Sequence, residues 1–210
     1  KISRTIMNKR FSLISAFFVA TTPGLIQQAH FATPESALIF FLFLSLLLLL
    51  KFIQHNKIYY LFLASAFLGF ALGVKVSSIV FLIPLIISIL LKSYVKNQSL
   101  LKNIIQTILR FTFLTLISLI FTIITFVLVA PYVFLDYQAF KSNLNYEGGL
   151  AIGKIPVFYT RQFIDTVPIL FQLEKIFPYA SGPTILLFAI LGFIFLILRN
   201  LKKPKLEIVI

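Results

Sequence analysis

The feature that most constrains this chain is a series of long apolar runs separated by short polar segments. The longest lies between Arg110 and Asp136 and contains no charged residue. Hydrophobic residues make up 60% of the 210 residues and charged residues only 12%, whereas soluble proteins carry about 25% charged residues. A soluble domain of this size cannot bury so much apolar surface, so the sequence predicts an integral membrane protein.

The apolar runs predict helices that cross the membrane. A spanning helix needs about 17–25 mainly apolar residues, and its backbone polar groups must bond internally. The runs lack the period-two alternation of membrane strands. We therefore predict an all-α, polytopic helical bundle that forms one domain over residues 1–210. The six predicted spans are Phe11–Ile26, Ser36–Ile53, Ile58–Val74, Ser77–Leu91, Ile104–Ala130 and Pro183–Leu198.

The distribution of Lys and Arg predicts the orientation of these spans. If Lys1 is cytoplasmic and the sides alternate, 14 of the 19 basic residues face the cytoplasm, including Arg110, which can snorkel to that side. Five of the six acidic residues fall outside. We expect a multi-pass plasma-membrane protein with both chain ends cytoplasmic. The net charge of +13 follows from this pattern, and we expect no nucleic-acid partner.

The predicted outer connection 131–182 is much longer than an ordinary loop. It is rich in Tyr and Phe, which favour the membrane–water interface. We predict interfacial helices there, with Phe158–Phe177 forming one or two helices broken near Pro168.

Glu35 is the first candidate for a functional group. It lies at the predicted outer mouth between the first two spans, where ionisable residues are costly and often functional. Alternatively, Thr33 caps a helix, Pro34 is its first residue, and Glu35 favours the positive helix end. His30, five residues earlier, could join Glu35 in binding a divalent ion or a phosphate. A histidine at a wet interface is the simpler interpretation.

Lys75 is the second candidate, because it interrupts the positive-inside pattern between two apolar runs. A lone outer cation needs an anionic partner such as a carboxylate or a lipid phosphate, unless it only snorkels at the interface. Since Glu35 and Lys75 lie at outer ends of neighbouring spans, we predict that they approach each other or a common cavity. Gly69 and Gly73 form a small-xxx-small pair that indicates close helix packing.

The long connection adds weaker candidates. Arg161 could bind a phosphate bidentately, and Asp136 lies shortly after the longest span, although either could be a solvated charge. The sequence contains no P-loop, no Ser-His-Asp order and no zinc-binding spacing. It contains no cysteine, which excludes disulfides and Cys-based metal sites.

Four stretches, taken in order, resemble the membrane glycosyltransferases of the GT-C class that use polyprenyl-phosphate sugars. The branch is that of the protein O-mannosyltransferases and the aminoarabinose–lipid A transferases. The first stretch runs from Thr22-Pro23-Gly24 to Glu35, where the family commonly has an acidic residue, usually Asp. The others are Gly69 to Ser77, Pro131-Tyr132 with Asp136, and Tyr159-Thr160-Arg161-Gln162-Phe163 through Gly182-Pro183.

The resemblance implies an enzyme that moves a hexosyl or pentosyl group from a polyprenyl-phosphate donor to a lipid, glycan or protein acceptor at the outer membrane face. Glu35 would match the second acidic position, near a divalent cation (Mg²⁺ or Mn²⁺) or the phosphate, with His30 as a further ligand. Lys75, His30, Arg161 and Asp136 would contact substrate. The main catalytic carboxylate of the family is expected upstream of Lys1, so this piece alone is expected to be inactive.

Two other classes of function compete with the enzyme. A transporter or flippase for a lipid-linked or anionic substrate would usually place ionisable residues near the bilayer midplane and contain internal repeats. Here those residues cluster towards one face and no repeat is evident, which favours the enzyme. A membrane scaffold without catalytic activity is the third alternative.

Overall fold

The computed structural model describes residues 1–94, 100–155, 157–167 and 169–202. Within these ranges the chain is helical and contains no strand, which confirms the predicted all-α class. The α-helices are α1 (Ile2–Ile6), α2 (Lys9–Ala20), α3 (Pro23–His30), α4 (Pro34–His55), α5 (Ile58–Val74), α6 (Leu82–Ser93), α7 (Leu100–Val129), α8 (Tyr132–Leu135), α9 (Tyr137–Ala151), α10 (Phe177–Ser181) and α11 (Pro183–Lys202).

The chain forms two compact units. The first, here called the four-helix unit, contains Lys1–Ser12 and Ala32–Leu135. The other, here called the second unit, contains Leu13–Phe31 and the chain from Asp136 onward. That residues 1–210 form one domain stays a prediction.

The four-helix unit is built around α5, which packs between α4 and α7, while α6 packs on both α4 and α7. The left-handed conformation of Asn56 (φ 54°) ends α4, and only Asn56 and Lys57 separate it from α5. Such a short connection makes the two helices antiparallel neighbours. The core consists of buried apolar side chains from all four helices, among them Leu49, Phe52, Leu61, Leu68, Leu85, Ile89 and Leu114.

Close packing of α5 on α7 depends on two glycines. A Cβ added to Gly69 would lie 1.8 Å from Thr125 Oγ1 and 2.5 Å from the Thr122 carbonyl oxygen. One added to Gly73 would lie 2.8 Å from Val129 Cγ1. Both contacts advance in the same direction along the two helices, so α5 and α7 are parallel. This confirms the prediction that Gly69 and Gly73 allow close helix packing.

Six membrane spans are not confirmed. In the described part of the chain, three helical segments are long and apolar enough to cross a membrane: Pro34–His55, Val76–Ser93 and Leu101–Val129. The helices Gln172–Ser181 and Pro183–Leu198 would form a fourth if they count as one span bent by 114°. Helix α5 has the bounds predicted for the third span, but its 17 residues are at the short limit for crossing.

The span predicted at Phe11–Ile26 is wrong as a single helix, because the chain breaks at Thr21–Thr22 between α2 and α3. Pro23 causes the break. Its ring cannot follow a helical residue without a clash, so Thr22 adopts an extended conformation (φ −66°, ψ 115°). Pro23 then becomes the first residue of α3, where its missing N–H costs nothing.

The fourth predicted span, Ser77–Leu91, has a two-part structure. A 3₁₀ helix covers Val76–Phe81, and α6 follows from Leu82. Pro84 lies in the first turn of α6, the position in a helix that tolerates proline. The residues around Pro84 therefore remain helical but change helix type.

One or two helices were predicted at Phe158–Phe177, but the longest described helix between residues 131 and 182 lies before that segment. The principal helix there is α9, with α8 before it and α10 after it. Between α9 and α10 lie a 3₁₀ turn at Arg161–Phe163 and a π-helical turn at Gln172–Ile176. The predicted break near Pro168 lies at a residue outside the described ranges.

In the second unit, α3 packs against α10 through two glycines. A Cβ on Gly24 would lie 2.8 Å from the Ala180 carbonyl oxygen, and one on Gly182 would lie 3.6 Å from Pro23 Cδ. Gly182 has φ +85° and ψ 140°, a region that only glycine adopts readily. The Pro23-Gly24 motif and the Gly182-Pro183 motif therefore meet in one helix junction.

Candidate functional site

Glu35 lies in the first turn of α4, as the sequence predicts. Thr33 occupies the cap position and Pro34 the first helical turn. Thr33 therefore occupies the predicted cap position, but its hydroxyl makes no capping hydrogen bond to a helix N–H. A carboxylate in the first turn is stabilised by the positive end of the helix dipole.

Lys75 lies immediately after α5, at the same open end of the α4–α5 hairpin as Glu35. Its N–H donates to the Ala71 carbonyl at 2.9 Å and closes the last turn. Its own backbone is extended (φ −155°, ψ 122°), so the chain changes direction there before Val76 begins the 3₁₀ helix. The side chain is thereby held at a helix end and not along a helix face.

Glu35 and Lys75 form an ion pair. Lys75 Nζ donates to Glu35 Oε1 at 3.0 Å, although 40 residues separate them in the chain. This confirms the predicted approach of the two side chains. The lysine side chain is 53% exposed and the glutamate side chain 33%. An ion pair this exposed is worth only about 0.2–1 kcal/mol, so it adds little to the stability of the fold. The packing of α4 on α5 brings the two charges together.

Two buried hydroxyl groups flank this ion pair in sequence, and sequence reasoning missed both. Ser36 follows Glu35 directly, and Ser78 lies three residues after Lys75, within the 3₁₀ helix. In the described structure the side-chain oxygens of both serines are buried and lack a hydrogen-bond partner. The start of α4 contacts this 3₁₀ helix. Burial of a serine is not readable from sequence, but adjacency to the two charged candidates was a usable signal.

The other three candidates, His30, Asp136 and Arg161, belong to the second unit. His30 ends α3, and its ring lies edge-on to that of Phe31 at 5.2 Å. Asp136 caps α9 by accepting from the Ala139 N–H at 3.1 Å. Arg161 is exposed at the start of its 3₁₀ turn. A substrate role for these residues stays a prediction.

The described residues do not assemble a recognisable metal centre. Among them, no group of three or more His, Asp or Glu side chains converges. The Glu35 carboxylate supplies oxygen, the right donor for Mg²⁺ or Mn²⁺, but one of its oxygens already accepts from Lys75. The divalent cation stays a prediction, and no chemical step below depends on it.

A separate cleft of about 480 Å³ lies within the second unit. No charged side chain is among its described lining residues, which are Leu150, Ala151, Gly153, Thr160, Phe163, Ile164, Thr166 and Gln172. The buried Gln172 Oε1 has no partner among the described groups.

Comparison with known proteins decides the family. The sequence profile of dolichyl-phosphate-mannose-protein mannosyltransferases matches residues 1–123, which is more than half of the chain. The chain belongs to this family. The match contains Glu35 and Lys75 and nearly all of the four-helix unit. No curated protein and no solved structure matches significantly.

Membership in the mannosyltransferase family confirms the resemblance for its first two stretches. The stretches at Pro131–Asp136 and from Tyr159 to Pro183 lie beyond the matched residues. The family is one of membrane glycosyltransferases of the GT-C type, which agrees with the apolar helices of the four-helix unit. The ion pair is therefore placed inside the part of the chain that the mannosyltransferase family shares.

Proposed function

We propose that this chain is part of a glycosyltransferase that moves a sugar from a polyprenyl-phosphate donor to an acceptor hydroxyl at the outer membrane face. The observation that carries the proposal is the Glu35–Lys75 ion pair within the family-matched residues. Sugar transfer from such a donor breaks the bond between the anomeric carbon and the phosphate oxygen, so negative charge accumulates on the phosphate. A nearby cation stabilises that charge.

Lys75 is suited to this role by its position and exposure. Its ammonium is a compact charge on a flexible stem and lies at a helix end, half exposed. The donor phosphodiester carries one negative charge and the departing polyprenyl phosphate gains a second, so its attraction for the ammonium grows as the bond to the sugar breaks. In our proposal the donor phosphate binds Lys75, and Glu35 keeps the ammonium oriented at the mouth of the α4–α5 hairpin.

The buried hydroxyl groups of Ser36 and Ser78 support a polar site at this end of the four-helix unit. A buried hydroxyl without a partner is costly, and each can donate to an oxygen that enters between α4 and the 3₁₀ helix. The general base that takes the proton of the acceptor hydroxyl is not assigned to any described residue.

The placement of charges favours an enzyme over a transporter. In the four-helix unit, charged side chains lie towards the ends of the described helices: Glu35 and Lys75 at one end, and Lys51, Lys57, Lys92, Lys102 and Arg110 towards the other. Transporters typically bind substrate and ions near the midplane. The reactive phosphate of a lipid donor would instead lie at one membrane face, because its tail stays in lipid.

The test is sugar transfer from a labelled polyprenyl-phosphate donor by the full-length protein in membranes, normalised to protein amount. Lys75→Ala should reduce kcat/KM by roughly 10²–10³, the usual effect of one transition-state contact. It should also raise KM, because the phosphate is charged in the ground state. Lys75→Arg should retain more activity than Lys75→Ala.

The matched control is the ion pair Glu174–Lys175, in which Nζ and Oε1 are 2.7 Å apart and the lysine is about as exposed as Lys75. Lys175→Ala should leave transfer near the wild-type level, whereas Glu35→Ala should reduce it. If Glu35→Ala and Lys75→Ala both transfer sugar at the wild-type rate, the ion pair is not part of the active site. Absence of transfer by the wild-type protein from any lipid-linked sugar, together with transport of such a lipid in vesicles, would favour the flippase.

A further inference from the structure

The end of the four-helix unit opposite the ion pair is strongly basic. The carboxyl ends of α4 and α6 and the amino ends of α5 and α7 meet there, because α4 and α6 run opposite to α5 and α7. We call it the basic end, and its charged side chains on these helices are Lys51, Lys57, Lys92, Lys102 and Arg110. Helix α1, which carries Arg4, joins the same end, because Gln54 Nε2 donates to the Thr5 carbonyl at 2.6 Å.

Within the four-helix unit, no described carboxylate lies at this end. Glu35 is the only acidic residue between Lys1 and Leu135, and it lies at the far end of α4, paired with Lys75. Helix α4 has 22 residues, so about 30 Å separates its two ends at 1.5 Å per residue. That distance is several Debye lengths in physiological salt, and Glu35 cannot neutralise the basic end.

Arg110 shows what kind of partner is missing. It lies one residue before the uncharged stretch of α7, is exposed, and its Nη2 is 3.5 Å from Asn56 Oδ1. That long contact to a neutral amide uses one of five donors. The remaining donors are exposed, and the planar fork of a guanidinium matches a phosphate with two parallel hydrogen bonds.

The neighbouring groups hold a defined arrangement around Arg110. Asn56 is fixed by its left-handed backbone at the end of α4, and Lys57 follows it directly. Lys51 lies one turn earlier on α4, with Nζ 5.6 Å from the centre of the Tyr60 ring, a cation–π distance. The rings of Tyr59 and Tyr60 lie beside each other here, tilted by 43° and with centroids 4.1 Å apart. Tyr rings are typical of the membrane interface.

We propose that the basic end binds the headgroup of an anionic phospholipid, with Arg110 and Lys57 on the phosphate and Lys51 nearby. The occupant is a lipid and not free phosphate, because the site lies at the end of helices whose exposed faces are apolar. These faces include Ile104, Ile108, Leu109 and Phe113 of α7. An acyl chain can lie along this face while the headgroup contacts the cations. The site is separate from the Glu35–Lys75 pair and does not depend on the proposed transferase activity.

The experiment measures binding of a fluorescent phosphatidylglycerol analogue to the purified full-length protein in a neutral detergent, by anisotropy. The lipid carries the label. We expect saturable binding that unlabelled phosphatidylglycerol displaces and phosphatidylcholine does not. Inorganic phosphate at the same concentration should not displace it. Each neutralised basic residue near a membrane surface weakens such binding about fivefold.

Arg110→Gln should therefore weaken binding at least fivefold, and Arg110→Gln with Lys57→Gln about 25-fold. Arg110→Lys keeps the charge but loses the fork, so its affinity should fall between wild type and Arg110→Gln. The matched control is Lys141→Gln, an exposed lysine of α9, which should bind as wild type does. If Arg110→Gln does not fold, as judged by its thermal melt, Lys51→Gln with Lys57→Gln tests the same site with surface changes only.

Three results would overturn the proposal. Equal binding by wild type and the folded neutralised variants would exclude the basic end as the site. Equal displacement by phosphatidylcholine would show that headgroup charge is irrelevant. Displacement by inorganic phosphate at equal concentration would indicate a soluble anion and not a lipid.

Discussion

The contact of α5 with α7 at Gly69 allows one substitution to be predicted quantitatively. In Gly69→Ala the new methyl group would lie 2.5 Å from the Thr122 carbonyl oxygen, about 0.5 Å closer than any real Cβ contact. Thr125 can rotate away, but a helix backbone cannot, so the two helices must separate. Overpacking of this kind costs about 1–3 kcal/mol.

Two smaller terms modify that cost. Separation of the helices lengthens the bond from Thr122 Oγ1 to the Ser65 carbonyl, now 3.1 Å, and such a bond between membrane helices is worth about 0.6 kcal/mol. Alanine gains up to about 1 kcal/mol over glycine in helix propensity. We therefore expect Gly69→Ala to destabilise the protein by about 1–3 kcal/mol.

Gly192→Ala in α11 is the matched control, because no atom of the described chain lies within 4 Å of its added Cβ. Only the difference in helix propensity between alanine and glycine applies at this position, so Gly192→Ala should be neutral or stabilising. The difference between the two variants should be roughly 2–4 kcal/mol, measured as unfolding free energy by titration with SDS in mixed micelles. Adding Thr125→Ala to Gly69→Ala removes the 1.8 Å contact with Thr125 and should restore part of the stability. Equal stability of Gly69→Ala and Gly192→Ala would refute the close packing of α5 on α7.

Three further predictions concern the caps, the junction and the topology. Asp136→Ala should lose about 1 kcal/mol of stability in thermal unfolding while Asp136→Asn keeps most of it, because asparagine can also accept from the Ala139 N–H; identical melting of both would disprove the capping role. Gly182→Ala should cost about 1–3 kcal/mol in the same assay, because alanine is strained at φ +85°; a melt equal to that of wild type would contradict this. An impermeant thiol reagent applied to intact cells should label a cysteine at Asn145 and not one at Asn97, which lies outside the described residues; equal labelling would contradict the predicted orientation.

The sequence predicts the helices of the four-helix unit well, because apolar runs end at polar or conformationally distinct residues. Helix α5 has its predicted bounds, and α4 extends two residues beyond its prediction at each end. The Glu35–Lys75 pair could also be predicted, because antiparallel neighbours bring the start of one helix to the end of the next. Hydropathy and the length of the connection are therefore enough to predict the helix bounds and the approach of Glu35 and Lys75.

The second unit was harder to predict for two physical reasons. Pro23 interrupts an apolar run without changing its hydropathy, so α2 and α3 were read as one span. Helix α9 is polar on much of its surface, and a search for apolar runs does not detect such a helix. Asp136 was a usable signal for the start of α9, because its carboxylate accepts a hydrogen bond from the N–H three residues later. The buried oxygens of Ser36 and Ser78 depend on tertiary packing, which no local pattern encodes.

If α5 crosses the membrane, as the sequence predicts, its shortness has a consequence for the lipid around the ion pair. Its 17 residues rise about 26 Å, whereas the hydrocarbon core of a bilayer is about 30 Å thick. Hydrophobic mismatch of this sign is relieved by local thinning of the bilayer or by snorkelling of flanking side chains. Lys75, directly after the last turn of α5, is the side chain placed to snorkel. Bilayer thickness would then set how far the lysine stem must extend, and a thicker membrane would draw its ammonium away from Glu35 and towards the headgroups.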